Sequence, residues 1–396
     1  MISSPQDKIK HVATYSGSQK PLWPNLLAAL VLLFIFLVGI TCLSGGVKEL
    51  GKGTMDAYFA ADMNPFLGLL VGILATTLVQ SSSVTTSLVV GLVGSGQMNV
   101  SAAIPVIMGA NIGTTVTSTI ASLAHSNRAG EFKRAFAAAT CHDAFNFLSV
   151  ATMLPIELLT RALTGQGFLE RVSIQLAEWT TGASGAKYKS PLKALFKDGS
   201  KWVKSTLEQL GFEDTGLSIA WAICGGLLIL VTLAAIVKVM RGPVVVRMER
   251  YVNRILGAGG TVAILVGVIL TIMVQSSSIT TSVMVPLAGA GVVTLAQIFP
   301  ITLGANIGTT VTALLASMAL GGDAAFAARQ IALVHLCFNL SGILIWFVPE
   351  RTRQVPLKIA TWLAEFAEGS KQRTVLLVFS VFYGLPALIF FLTEVM

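Results

Sequence analysis

The chain has 396 residues, of which 54% are hydrophobic and only 12% are charged, and its formal net charge is +8. A soluble domain carries about a quarter charged residues, so this composition excludes an ordinary soluble protein and predicts an all-α polytopic membrane protein. Neither zinc-ligand spacing nor a basic patch interleaved with aromatic residues occurs, so we expect no nucleic-acid partner. The four cysteines lie far apart in apolar segments, which is typical of buried thiols.

The first predicted elements are a polar segment, 1–21, and an apolar run, 22–43, that is long enough to span a bilayer. The basic side chains of the polar segment place the N-terminus in the cytoplasm. The run is too long for the core of a cleavable signal peptide, so we expect a retained first transmembrane helix.

The next apolar stretch, 66–94, is interrupted at its middle by "QSSS" (80–83). It is too long for one crossing and too short for two, so we predict a re-entrant helical hairpin. The following unit, 101–124, contains a proline and the string "GANIGTT" (109–115), which together predict a broken transmembrane helix.

Three further units follow before the motifs return. Residues 132–155 and 217–239 are apolar enough to be crossings. Between them, 157–216 mixes short amphipathic pieces with polar residues. Long loops translocate largely regardless of their charge, so we predict that this segment is external.

The hairpin and the broken helix then recur. "VQSSSVTTS" (79–87) returns as "VQSSSITTS" (274–282), and residues 76–119 align with 271–314 without a gap and with about half the positions identical. We therefore predict a second re-entrant hairpin at 257–290 and a second broken transmembrane helix at 296–320.

Three predicted crossings separate the two hairpins. Because three is odd, the second hairpin enters the membrane from the opposite face to the first. The sequence thus predicts inverted-topology repeats, the architecture of many secondary transporters. The predicted units are a cytoplasmic N-terminal segment (1–21), a first transmembrane repeat (22–156), an external loop (157–216), an inverted second repeat (217–349), an amphipathic cytoplasmic segment (350–373) and a final transmembrane helix (374–396).

Both repeat cores are polar without being charged. No Asp, Glu, Lys or Arg occurs between 64 and 124 or between 255 and 322, although Ser, Thr, Asn and Gln are frequent. A hairpin tip at membrane depth would offer serine hydroxyls and the positive end of a helix to an anion, and carbonyl and glutamine oxygens to Na⁺. The alternative is that small polar residues only pack helices closely. The duplicated QSSS and GANIGTT strings favour a binding site.

Ionisable residues at membrane depth are functional candidates by default. Asp143 is a candidate for coupling cations or for a proton relay, and the alternative is that His142 and Asp143 are a polar pair that fixes a helix. We expect Asn146 and Asn339 to join helices by hydrogen bonds. The cores offer no nucleophile–base–orienter set, so we expect neither an enzyme nor a cofactor.

Two further segments complete a pattern that resembles a known family. "KRAFAAATCHDAFNFLS" (133–149) and "RQIALVHLCFNLSGILIW" (329–346), together with the paired QSSS and GANIGTT strings, resemble the type II sodium-dependent phosphate cotransporter family. The resemblance covers roughly 65–155 and 255–350. It implies Na⁺-driven uptake of inorganic phosphate by alternating access, with Na⁺ as the coupling ion.

The resemblance also implies roles for individual residues. The implied phosphate site consists of Ser82, Ser83, Ser277 and Ser278 with the backbone near Asn111 and Asn306. The implied sodium ligands are Gln80, Gln275, Ser276, Thr309 and Thr312, with Thr114 and Thr117 as first-repeat counterparts. The loop lacks the cysteines of animal members and no regulatory domain is appended, so we expect a bacterial inner-membrane protein.

Other functions remain open at this point. The substrate alternatives are another oxyanion or a carboxylate, although neither core has the arginine clamp that carboxylate carriers often use. A passive anion channel would need no sodium. Besides phosphate, sodium and the lipid bilayer, the expected partner is a second copy in a homodimer, for which the spans 22–44 and 217–239 are candidate surfaces.

Overall fold

The computed structural model describes residues 22–50, 63–114, 116–123, 129–182, 191–256, 259–321, 323–368 and 370–384, together with residues 388 and 391. All regular elements in this part of the chain are helices, which confirms the predicted all-α class. In chain order they are α1 (Trp23–Leu50), α2 (Pro65–Val79), α3 (Ser82–Gly94), α4 (Val100–Gly113), α5 (Val116–Ser122), α6 (Ala129–Thr164), α7 (Phe168–Gly182), α8 (Pro191–Gln209), α9 (Asp214–Leu256), α10 (Gly260–Val274), α11 (Ser277–Gly289), α12 (Leu295–Met318), α13 (Asp323–Trp346), α14 (Glu350–Glu368) and α15 (Lys371–Phe379), followed by a π-helical turn (Ser380–Gly384).

The long apolar helices indicate a protein that crosses the membrane repeatedly. Within the described residues, five helices are long and apolar enough to span a bilayer: Trp23–Leu50, Gly130–Thr164, Asp214–Met240, Leu295–Met318 and Ala324–Trp346. The span in α12 is 78% buried and those in α1 and α9 are 39% buried, so α12 is central and the other two have faces for lipid.

A hairpin of two helices occurs at each QSSS string, one in the first copy of the repeat (α2–α6) and one in the second copy (α10–α13). α2 ends at Val79, Gln80 adopts the left-handed conformation (φ 55°, ψ 30°), and α3 begins at Ser82. In the second copy Gln275 has nearly the same angles (φ 56°, ψ 28°) between α10 and α11. Left-handed backbone is costly for a residue with a Cβ atom, so its occurrence at both glutamines marks two tightly defined tips.

Hydroxyl pairs join the two arms of each hairpin. Thr76 donates to the Thr85 hydroxyl at 2.9 Å, and Thr271 donates to the Thr280 hydroxyl at the same distance. The two copies are therefore alike in detail as far as the hairpins are concerned.

The two copies differ in the helix after the hairpin. In the first copy one helix ends at Gly113 and the next, α5, begins at Val116. In the second copy α12 runs without interruption through "GANIGTT", so the predicted second broken helix is wrong. The break coincides with a bond across the molecule, in which the Ser278 hydroxyl donates to the Thr114 carbonyl (3.3 Å). The equivalent serine, Ser83, donates to the Gln275 carbonyl instead, and Thr309, the equivalent of Thr114, lies inside a continuous helix.

The glycines of GANIGTT serve close packing. A Cβ atom at Gly109 would meet the Leu69 carbonyl oxygen, and one at Gly72 would meet the backbone of α4, so α2 and α4 are in backbone contact. Gly267 and Gly304 bring α10 and α12 together in the same way. Small residues that admit such close approach are a common means of helix association in membranes. Each hairpin is thereby fixed to the next helix in the chain.

A separate pair of long helices packs beside the hairpins. α1 and α9 lie in close contact along their lengths, where Gly39 faces Leu228 and Gly225 faces Leu43. α9 also contacts α3 and α10, so it borders both hairpins.

The predicted external loop and the surface segment contain amphipathic helices. Within 157–216, α6 continues to Thr164 and is followed by α7 and α8, which pack on α13 and α1 respectively. In α14, Ala360 and Ala364 are buried against α6, whereas Trp362 is 63% exposed, as expected of a helix at a membrane surface. Residues 1–21 and most of 385–396 lie outside the described residues.

Candidate anion and cation site

The two hairpin tips meet, and each bonds to the opposite copy. The Ser83 hydroxyl of the first tip donates to the Gln275 carbonyl of the second at 3.4 Å. The Ser278 hydroxyl of the second tip donates to the Thr114 carbonyl at the break of the first copy at 3.3 Å. Both serines are buried, with exposures of 2% and 5%. The structure therefore brings together four of the predicted residues from opposite ends of the sequence.

Each tip presents the N-terminus of a helix. Ser81 is the N-cap of α3 and accepts from the Val84 amide, and Ser276 is the N-cap of α11 and accepts from the Ile279 amide. Beyond these caps, each helix begins with two serine residues whose side chains are buried, Ser82 and Ser83 in α3 and Ser277 and Ser278 in α11. Amide groups at a helix N-terminus and the positive end of its dipole suit an anion.

Gln275 and Thr312 provide adjacent oxygen atoms. The Thr312 hydroxyl donates to Gln275 Oε1 at 2.7 Å, and Gln275 Nε2 is occupied by the Ile272 carbonyl at 2.7 Å. Both side chains are buried. A hard cation such as Na⁺ prefers oxygen ligands of this kind. The predicted Gln275 and Thr312 are therefore brought together beside the second tip.

The other predicted cation ligands are less closely grouped. Gln80 is exposed, unlike its counterpart Gln275. Thr309 and Thr114 donate to the carbonyls of Ala305 and Ala110 in their own helices, at 3.0 and 2.9 Å. Ser276 serves as a helix cap. The side chain of Thr117 lies outside the described residues.

A cavity of about 290 Å³ lies between the tips and α9. The tips contribute polar atoms from Gln80, Ser81, Gln275, Ser276 and Ser278. α9 contributes an apolar wall of Leu230, Leu233, Ala234 and Val237. Every lining residue is uncharged, so an ion here would be held by dipoles, hydroxyls and carbonyls.

The side chains of Asn111 and Asn306 are turned toward a buried network and not toward the serines. Asn306 Oδ1 lies 2.5 Å from His142 Nε2, and Asn306 Nδ2 donates to Asn146 Oδ1 at 2.7 Å. Asn111 Oδ1 lies 3.3 Å from His335 Nε2. Near Asn111, the Thr114 carbonyl contacts the second tip, and the amide groups of both asparagines bond across the two copies.

The prediction for Asn146 and Asn339 is only half right. Asn146 joins helices as predicted, since it also donates to the Asn111 carbonyl at 2.9 Å. Asn339 instead donates to the His335 carbonyl of its own helix, so the expectation is wrong for this residue. Sequence reasoning missed that these asparagines and the two histidines belong to one network. The recurrence of a His four residues before an Asn in both copies was the signal.

Asp143 is buried and connected to the second tip helix through α5. Thr119 donates to its carboxylate at 3.3 Å, and the neighbouring Ser118 shares a 2.7 Å hydrogen bond with Thr281 of α11. Asp143 also borders an apolar cavity of about 340 Å³ between α6, α14 and the C-terminal helices, where Phe147 lies beside it. The carboxylate is therefore linked through α5 to α11, the helix that bears the second tip.

The comparison with protein families identifies the family. Residues 35–170 and 228–366 match the family described as Na⁺/Pi-cotransporter. The chain belongs to this family. The matched stretches contain both hairpins, and the segment between them contains most of the predicted external loop. The resemblance found in the sequence motifs is confirmed.

Individual members of the family match nearly the whole chain. Sodium-dependent phosphate transport protein 2B of Homo sapiens is 32% identical over 455 residues, which cover 92% of this chain and 65% of the relative. Protein 2A of Ovis aries is 34% identical, with 90% and 66% covered, and protein 2A of Mus musculus is 33% identical, with 98% and 70% covered. The chain thus spans about two thirds of the length of these relatives. No solved structure is significantly similar to it.

Proposed function

We propose that this protein transports inorganic phosphate into the cell, coupled to Na⁺, and that the meeting hairpin tips hold the substrate. The observation that carries this proposal is the pair of crossed bonds, Ser83 to Gln275 and Ser278 to Thr114, in a member of the Na⁺/Pi-cotransporter family. Two helix N-termini that converge in an uncharged, buried place are suited to a small multivalent anion. We place the protein in a bacterial inner membrane with the N-terminus in the cytoplasm.

Phosphate would be held by hydroxyl and amide donors. Ser82, Ser83, Ser277 and Ser278 lie in the first turns of α3 and α11, where amide groups have no partner within the helix. Hydrogen bonds to a charged ligand contribute about 1.5–3 kcal/mol each. A set of such donors binds an oxyanion without a cationic side chain, and the uncharged lining of the cavity supports this arrangement.

Sodium would be held by oxygen atoms beside the tips. Gln275 Oε1 and the Thr312 hydroxyl form the best-defined pair, and the carbonyls at the ends of α2 and α10 are further ligands. Ser276, Gln80, Thr309 and Thr114 complete the set that we assign to cations, together with Thr117. Two Na⁺ ions would neutralise a divalent phosphate. We assign Asp143 to coupling, because its carboxylate adjoins α5 and hence α11.

Alternating access would move the tips relative to α9. The apolar wall of Leu230, Leu233, Ala234 and Val237 closes one side of the site, and apolar surfaces allow sliding because they form no hydrogen bonds that must break. Movement of the hairpins along this wall would expose the ions first to one face of the membrane and then to the other.

The test is uptake of labelled phosphate into proteoliposomes with and without an inward Na⁺ gradient. We expect uptake by the wild type to require Na⁺ and Ser277→Ala to raise the KM for phosphate about 10- to 100-fold, which corresponds to one lost hydrogen bond to a charged ligand. Ser317→Ala is the matched control, because this buried serine bonds only to the Leu314 carbonyl of its own helix.

Each contrary outcome has a distinct meaning. Downhill uptake that is indifferent to Na⁺ would indicate an anion channel. Na⁺-dependent uptake of sulfate, arsenate or a dicarboxylate in place of phosphate would leave the site standing and change its substrate. Unaltered phosphate KM in Ser277→Ala would refute the assignment of the tips.

A further inference from the structure

Six buried polar residues form two equivalent sets, one from each copy. His142 corresponds to His335, Asn146 to Asn339 and Asn111 to Asn306. The two histidines and the helix asparagines Asn146 and Asn339 are 0% exposed, and Asn111 and Asn306 are 3% exposed. Each histidine reaches the asparagine of the other copy, so the sets cross at the centre of the molecule.

The set that contains Asn146 makes hydrogen bonds between the two copies, and His142 Nδ1 is the atom of this set that has no partner among the described residues. His142 Nε2 is 2.5 Å from Asn306 Oδ1, and because a carbonyl oxygen only accepts, this nitrogen is the donor. Asn146 accepts from Asn306 at 2.7 Å and donates to the Asn111 carbonyl at 2.9 Å. Asn146 therefore bridges α4 and α12.

The equivalent set that contains Asn339 makes fewer hydrogen bonds between the two copies. His335 Nε2 is 3.3 Å from Asn111 Oδ1, and Asn111 Nδ2 donates to the Ile107 carbonyl of its own helix. Asn339 donates to the His335 carbonyl, and its Oδ1 has no partner among the described residues. A buried amide oxygen without a hydrogen-bond partner is energetically unfavourable, so a rearrangement that gives Asn339 Oδ1 a partner would be favoured.

The same asymmetry occurs at the tips. Ser278 bonds to the Thr114 carbonyl where the first copy is broken, but its equivalent Ser83 does not bond to Thr309, and the second copy is unbroken there. Two independent sets of equivalent residues thus place the two copies in different states.

We propose that the six residues are a two-state hydrogen-bond switch that exchanges its halves during transport. In the opposite-facing state, Asn339 bridges the Asn111 amide and the Asn306 carbonyl, and Asn146 turns back to the His142 carbonyl. This inference rests on the proposed function, because inverted repeats produce the second state of a carrier by exchanging their conformations. Packed interiors favour such discrete arrangements over gradual deformation.

The six residues are connected to the proposed ion site through α4 and α12. Asn111 lies three residues before Thr114, whose carbonyl accepts from the second tip, and Asn306 lies six residues before Thr312, which bonds to Gln275. A change of partner at Asn146 or Asn339 would therefore shift α4 relative to α12 at the positions where both tips are held. The asparagines act as positioning residues and do not touch the substrate.

The test compares Asn146→Ala with Asn339→Ala. The reporter is Val237→Cys on α9, which faces the tip cavity, in a chain whose four native cysteines are alanine. The ratio of its labelling rates by a membrane-impermeant maleimide is measured from the two faces of oriented liposomes. We expect Asn146→Ala to shift this ratio toward one face and Asn339→Ala toward the other, each by about 2- to 10-fold, as the loss of one bridging bond implies.

Thr140→Val is the control, because this buried hydroxyl on α6 bonds only to the Phe136 carbonyl of its own helix, and we expect the ratio to stay unchanged. Shifts in the same direction, unchanged ratios in both asparagine variants, or an equal shift in the control would overturn the switch. If an alanine variant does not fold, Asn146→Ser and Asn339→Ser make the same comparison. Labelling is independent of the transported anion, so failure of phosphate uptake would refute the proposed function separately.

Discussion

The close approach of α10 and α12 predicts a large effect of one methyl group. Gly304→Ala would place a Cβ atom 2.8 Å from the Ile264 carbonyl carbon and 2.9 Å from the Val268 nitrogen, whereas ordinary contacts begin at 3.4 Å. These neighbours are backbone atoms, so no side chain can turn away. The Ile264 carbonyl oxygen is nearer still, so the two helices must separate by more than about 0.6 Å, the shortfall between the 2.8 Å distance and ordinary contact.

The magnitude follows from the cost of overpacking. Extra volume in a close-packed interior costs about 1–3 kcal/mol. For a chain of this length such a loss corresponds to a fall in Tm of roughly 1–4 °C. α10 carries Gln275 at its end and α12 carries Thr312, so separating the helices also lengthens the 2.7 Å bond between them. We expect reduced uptake as well as reduced stability.

The assay is thermal unfolding of purified protein in detergent together with Na⁺-dependent phosphate uptake. Gly226→Ala is the matched control, because it lies inside α9 with nothing within 4 Å of an added Cβ atom. There alanine should leave the Tm unchanged or raise it slightly, since glycine is the poorer helix former. If Gly304→Ala and Gly226→Ala have the same Tm and uptake, backbone contact does not hold the hairpin to its neighbouring helix.

Two further predictions concern side chains at the site and at the end of α11. Thr312→Val should raise the Na⁺ concentration for half-maximal uptake about tenfold, because it removes a ligand and leaves Gln275 Oε1 without its donor. The control Thr310→Val should leave this concentration unchanged, because the Thr310 hydroxyl bonds to the Ile307 carbonyl. Equal effects of the two variants would contradict the cation assignment. Arg134→Gln should lower stability by about 0.3–1 kcal/mol, because Arg134 bonds to the Ala288 and Gly289 carbonyls at the negative end of α11. The neighbouring Lys133→Ala removes ion pairs with Glu365 and Glu368 at the surface and should leave the Tm nearly unchanged. A fall as large as that of Arg134→Gln would contradict the capping role.

Much of the fold was predictable because membranes restrict the choices. Every backbone group in the bilayer needs a partner, so long apolar runs become helices and an interruption such as QSSS becomes a defined break. The breaks at Gln80 and Gln275 follow from this rule and from the serines that cap the next helices. The duplication then predicted that the second tip would resemble the first, and the backbone angles of the two glutamines agree within a few degrees.

The broken helix shows where this reasoning stops. "GANIGTT" is identical in both copies, yet the helix breaks after Gly113 and continues past Gly308. The copies differ in the residues that follow, VTSTIAS (116–122) against the more helix-favouring VTALLAS (311–317), and in their partners distant in sequence. Ser278 donates to the Thr114 carbonyl, whereas the equivalent Ser83 donates to the Gln275 carbonyl and not to Thr309. A single sequence contains no record of which of two equivalent bonds is made.

Identical strings with different hydrogen bonds are themselves informative about mechanism. If the motifs encoded one rigid conformation, both copies would adopt it, because local sequence and glycine packing are shared. They do not, and the difference extends from Thr114 at the break to Asn146 and Asn339 in the interior. The proposed exchange, in which each copy adopts the arrangement of the other, requires the two arrangements to be close in free energy. A carrier requires two states of nearly equal free energy, because its site must open to each face of the membrane in turn. Two states that differ by an exchange of hydrogen-bond partners would meet this requirement.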